Sequence, residues 1–79
     1  MLIQPSTGRG PFHIKAESTT AVAVRDRVGR LVRSLEADRS GTANWDGRDE
    51  TGRLVASGIY FVRLKAGDRR ATAKIALQR

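Results

Sequence analysis

Carboxylates crowd one short stretch of this chain. Asp46, Asp49 and Glu50 are interleaved with Gly47 and Gly52, and Asp38 lies a few residues upstream. Hard oxygen donors in a glycine-rich segment do one of two things: they bind calcium, or they accept backbone N–H bonds inside tight turns. The spacing departs from that of an EF-hand loop, and no third acid stands at a matching position, so turn capping is the expected role and no metal is expected. The lone histidine, His13, has no cysteine partner anywhere in the sequence, so neither a zinc cage of thiolates nor a thiol nucleophile is available. Ser57 precedes Gly58, which is turn chemistry rather than the setting of a nucleophile. No paired carboxylates, phosphate loop or nucleophile elbow occur. The expectation is therefore a protein that is not an enzyme and carries no cofactor.

The second concentration of chemistry is positive. Fifteen Lys and Arg oppose eight Asp and Glu, for a formal charge of +7, and twelve of the fifteen are arginines. Arg25, Arg27, Arg30 and Arg33 fall close together and form a candidate contact for a polyanion, one whose binding would weaken with salt. The plainer reading is that these are solvated outward positions of strands and turns.

In the elements that hold these side chains, alternation dominates. Phe12, Ile14 and Ala16 alternate with His13, Lys15 and Glu17, the period of a strand buried on one face. Ser18, Thr19 and Thr20 supply a turn. Val22 and Val24 make a second strand up to Asp26. Arg27 to Arg30 connect it to a third, with Gly29 at positive φ, and Leu31, Val32 and Leu35 carry the chain back. That spacing also suits one helical turn, but the flanking turns are too close for a helix of ordinary length. A polar turn at Asp38–Gly41 precedes a short strand from Thr42 to Trp45. The strongest strand spans Ile59 to Lys65, with Tyr60, Val62 and Leu64 expected inward and Phe61, Arg63 and Lys65 outward. Ala66, Gly67 and Asp68 turn the chain into a closing strand in which Ala71, Ala73, Ile75 and Leu77 share a face.

Six or seven short strands with turn signals between them describe an all-β protein, a small immunoglobulin- or fibronectin-III-like antiparallel sandwich. Residues 1 to 11, with both prolines, read as a linker or disordered entry, and residues 12 to 79 as the domain. Only four aromatic residues, Phe12, Trp45, Tyr60 and Phe61, can act as large anchors. A chain this short buries about 60% of its unfolded surface, so Trp45 is expected to pin the glycine-rich loop to the core while Tyr60 reaches a loop carbonyl. No stretch approaches the ~20 apolar residues of a membrane-spanning helix, and the N-terminus lacks the apolar run of an export signal.

The segment from Trp45 to Tyr60 resembles a known family. The pattern Trp-Asp-Gly-x-Asp-x-x-Gly followed by Ser-Gly-x-Tyr falls on Trp45, Asp46, Gly47, Asp49, Gly52, Ser57, Gly58 and Tyr60. An upstream element falls on Asp26, Gly29, Arg30, Val32, Arg33 and Leu35, and a closing one on Lys74, Ile75 and Leu77. Together they resemble the immunoglobulin-like domain of flagellar hook-capping proteins, and the related C-terminal domains of bacterial proteins exported by the type IX (Por) secretion system. Arg25 and Arg27 depart from the apolar residues usual at those family positions, and the entry departs from an Asn-Pro-rich one.

The resemblance implies an accessory module, the C-terminal domain of a larger exported bacterial protein, located outside the cell or on its surface. Its partner would be a protein, either secretion machinery or an upstream domain of the same polypeptide. Sorting of cargo and assembly of a surface structure both fit, and an end at Arg79 directly after the last strand suits the cargo role. The alternative is a basic β-module for nucleic acid or another polyanion. Carbohydrate binding, a third possibility, would need exposed aromatics that the sequence does not offer.

Overall fold

Every strand expected from Phe12 onward forms. The computed structural model describes residues 2–4, 7–15, 21–66 and 68–78. In chain order the strands are β1 (Leu2–Gln4), β2 (Thr7–Gly8), β3 (Phe12–Lys15), β4 (Ala21–Asp26), β5 (Leu31–Glu36), β6 (Thr42–Trp45), β7 (Gly58–Ala66) and β8 (Arg69–Leu77). The six from β3 to β8 match the reading of the sequence, and residues 30 to 36 and 59 to 65 carry no helix. Ala16 and Glu17 at the end of the first expected strand, the turn expected at Ser18–Thr20 and the hairpin residue Gly67 lie outside the described residues.

Two sheets face each other. One has the order β1-β3-β6 and the other β2-β8-β7-β4-β5. In β3, Phe12 and Ile14 are buried while His13 and Lys15 are exposed. Pairing Phe12 with Trp45 and Ile14 with Ala43 across β6 collects four buried side chains on one face. The opposing sheet contributes Val22 and Val24 from β4, Tyr60, Val62 and Leu64 from β7, and Ile75 and Leu77 from β8, all buried. Burial of these apolar faces, at about 25 cal/mol per Å², is the main force holding the sheets together.

Trp45 joins the layers. Its indole has 0% exposure, lies 5.6 Å from the Phe12 ring in a stacked arrangement and meets the Tyr60 ring of the opposite sheet edge-on at 5.3 Å. The nine-residue β7 and β8 set the long dimension of 32 Å, close to nine residues at about 3.4 Å each. They outrun the three- and four-residue strands facing them, so burial along β8 declines from Leu77 and Ile75 to half-buried Ala73 and exposed Ala71.

Two features differ from the sequence reading. The entry is not merely a linker: Ile3 pairs with Ile14 as β1 joins β3, and Thr7 and Gly8 pair with Ala76 and Leu77. Strands of two or three residues have no period to detect, and they form because an unpaired neighbouring edge supplies their hydrogen bonds. The two-residue β2–β8 pair is parallel, an exception within the antiparallel sandwich that the sequence predicts. Within β5, Leu31 is 49% exposed while Val32 is buried. A register shift between β4 and β5 sets Val24 opposite Arg33 but Arg25 opposite Leu31, so the extra residue turns Leu31 outward. Gly10 is needed where it stands: at φ 88°, a Cβ there would lie 3.1 Å from the Phe12 ring.

Candidate interaction surface

The acidic residues of the loops serve one repeated device. Asp26-Arg27-Val28-Gly29-Arg30, Asp38-Arg39-Ser40-Gly41-Thr42 and Asp49-Glu50-Thr51-Gly52-Arg53 fold alike. In each, the glycine N–H donates to the aspartate carbonyl at 2.9–3.0 Å, and the aspartate N–H donates to the carbonyl of the residue after the glycine at 2.9–3.0 Å. The carboxylate then closes the turn. Its Oδ1 accepts the N–H groups of Val28 and Arg30 in the first loop, Ser40 and Thr42 in the second, and Thr51 and Arg53 in the third. Gly29, Gly41 and Gly52 have φ of 91°, 81° and 87°, the left-handed conformation that a Cβ disfavours.

Two loops add a hydroxyl, Ser40 Oγ and Thr51 Oγ1, each 2.6 Å from the Oδ1 it donates to. The Ser40 hydroxyl and then the Thr42 N–H hold the Asp38 carboxyl below the usual aspartate range. The Thr51 hydroxyl and then the Arg53 N–H do the same for Asp49. These carboxylates act as caps, and among the described residues no three acidic or histidine side chains converge as metal ligands. The signal in the sequence is aspartate three residues before glycine, occurring three times. Read singly, each looks like an ordinary polar turn.

The third loop is anchored from below and from the side. Trp45 Nε1 donates to the Arg48 carbonyl at 2.9 Å, and Asp46 Oδ1 accepts the Arg48 N–H at 3.1 Å. Gly47, buried and at φ 77°, accepts the Val55 N–H at 3.0 Å through its carbonyl. Beyond Ser57 and Gly58, the Tyr60 hydroxyl donates back to the Ala56 carbonyl at 2.7 Å, the reach expected of it. On the side, the Glu50 N–H donates to the Val32 carbonyl at 3.0 Å, and the Glu50 carboxylate accepts the Ser34 N–H. Arg33 Nη1 donates to the Asp49 carbonyl at 3.0 Å. Glu50 thus occupies hydrogen-bonding positions on the outer edge of β5 that a further strand would otherwise take.

A scan of protein families matches the FlgD Ig-like domain over residues 3–70. The chain belongs to the FlgD Ig-like domain family. Among solved structures it resembles PorZ, described as an essential bacterial surface component of the type-IX secretion system of Porphyromonas gingivalis, with a TM-score of 0.83 and 22% identity. That likeness covers 99% of this chain but 11% of PorZ, so it concerns the fold of one small part of that protein. No curated protein matches the chain.

The arginines of this FlgD Ig-like domain do not form the single patch that their spacing suggests. Arg25 is half-buried, and its Nη1 donates to the Gly29 carbonyl at 3.0 Å. Arg48, also one residue before a capping aspartate, repeats that contact with the Gly52 carbonyl at 2.8 Å. Arg33 is half-buried against Asp49, and only Arg27 and Arg30 stand exposed at the hairpin tip. The unusual Arg25 of this family member therefore braces a turn, though its Nε is buried without a partner. His13 is exposed and pairs across the strand with Asn44.

More exposed cations lie where the sequence reading places no site. Arg63 and Lys65 of β7 and Arg70 and Lys74 of β8 are all exposed. Their signal is alternation with core residues, which in the sequence alone reads as ordinary solvation. Among the described residues no helix is long and apolar enough to cross a membrane.

Proposed function

We propose that this domain is a non-catalytic accessory module of a larger exported bacterial protein, active outside the cell or at its surface in sorting or surface assembly through protein contacts. One observation carries the reading: the FlgD Ig-like family match runs from β1 through β7 to the first residues of β8, and the loop residues of that motif are engaged in building the fold. Trp45, Asp46, Gly47, Asp49, Gly52 and Tyr60 hold one another and the backbone, and Asp26, Asp38 and Asp49 commit their carboxylates to turn N–H groups. A module of this kind acts through its surfaces. PorZ, a solved structure it resembles, is a surface component of a type-IX secretion system, and this supports a secretion-related role.

The test is fusion of the domain to a periplasmic reporter in a cell with a working type IX system. Release of the reporter to the surface, and its loss when residues 70–79 are removed, is the expected result. Deletion of those residues strips most of β8, on which β7 and β2 both depend. Retention of the intact fusion in the periplasm, at the level of reporter alone, would count against the sorting role.

A further inference from the structure

The outward positions of the five-stranded sheet form one charged surface. Register places Arg70 beside Lys65 and Thr72 beside Arg63, then Lys65 beside Ala21 and Arg63 beside Ala23. On the far strand Ala21 faces Glu36 and Ala23 faces Ser34. The two alanines leave a trough between a wall of cations and a wall of Ser34 and Glu36, and the resulting groove has a volume of ≈ 550 Å³. Among the described residues the one ion pair is Arg48–Asp46, in the loop. Arg63, Lys65, Arg70 and Lys74 therefore have no ion-pair partner among the described residues, and Lys65 and Arg70 sit directly opposite each other as like charges, an arrangement that destabilises a sheet.

We propose that this face docks an acidic, extended polypeptide segment. The surface presents cations two residues apart on one strand, about 6.8 Å between like-facing positions, which is also the repeat of alternate side chains in an extended peptide. The alanine trough admits a backbone close to the sheet. The opposite wall, Glu36 and Ser34, accepts hydrogen bonds, so a ligand with both carboxylates and N–H or hydroxyl donors fits it, whereas a phosphate chain meets repulsion at Glu36. Phe61 is half-buried between Arg25 and Lys74 and offers little face for stacking bases. The proposal rests on the protein-docking reading above and names the partner's chemistry.

The experiment titrates the full chain with a fluorescein-labelled (Glu-Thr)5 peptide by anisotropy, beside a labelled oligothymidylate, at physiological and raised salt. The double variant R63E/K65E is expected to weaken peptide binding at least about tenfold, the scale of one or two charge contacts. R27E/R30E, with the same charge change at the hairpin tip, is expected to alter it less than about threefold. R63E/K65E is not expected to unfold the domain, since both side chains are exposed and the carboxylate that K65E introduces faces Arg70; circular dichroism verifies this, and R70E serves as a second probe. Absence of peptide binding, equal weakening by both double variants, or preference for the oligothymidylate would overturn the proposal. Loss of this surface with reporter export intact would remove the docking face alone and leave the sorting role standing.

Discussion

Replacing Trp45 by phenylalanine tests the central packing argument. The indole is fully buried between the Phe12 and Tyr60 rings and donates to the Arg48 carbonyl at 2.9 Å. Phenylalanine keeps one ring but loses that donor, about 1 kcal/mol. Its smaller volume leaves a cavity between the sheets that costs a further ~2 kcal/mol. The sum, about 3 kcal/mol, is a large share of the roughly 4–12 kcal/mol expected for a domain of this length. It corresponds to a fall in melting temperature of roughly 12–24 °C. Far-ultraviolet circular dichroism during heating reads it without needing tryptophan emission. Tyr60→Phe is the calibrating partner: it removes only the hydroxyl bond to the Ala56 carbonyl and should lower the melting temperature by about 4–8 °C. A fall below about 4 °C for W45F would refute the claim that this ring closes the sandwich and holds the loop.

Glycines at equal φ should differ by what surrounds them. Gly52→Ala meets no atom within 4 Å, so its cost, about 1–2 kcal/mol, comes from the backbone alone, while Gly10→Ala also presses on the Phe12 ring and should melt lower in a thermal scan. Glu50→Ala keeps the backbone bond to the Val32 carbonyl but frees the Ser34 N–H on the edge of β5, and should produce concentration-dependent association in sedimentation that the parent chain lacks. The capped aspartates give a pH dependence with a defined sign. The carboxyl groups of Asp38 and Asp49 titrate lower in the folded chain than the ordinary value of 3.8, so the unfolded state binds more protons in that range. Their contribution is complete above that value and is lost as pH falls through the lowered folded value. Urea unfolding at neutral pH and near pH 3 should show this loss in the parent and a smaller one in D38N/D49N.

What the amino-acid order determined by itself is the set of strands and their inward faces. Tyr60-Val62-Leu64 and Phe12-Ile14 could be read because alternation is a local consequence of strand geometry, and the turns at Gly29, Gly41 and Gly52 because their residue types restrict φ locally. The motif around Trp45 was legible for the same reason, since its caps and bends join residues within a few positions of each other. Tertiary structure decided what depends on distant partners. The pairing of Ile3 with Ile14 and of Thr7 with Ala76 follows from edges left open by strands elsewhere in the chain. The fate of each arginine was likewise decided in space, because a guanidinium beside a turn carbonyl and one facing water look identical in a list. Arg25 and Arg33 became braces, while Arg70 joined Arg63 and Lys65 on one face only when register set β8 beside β7.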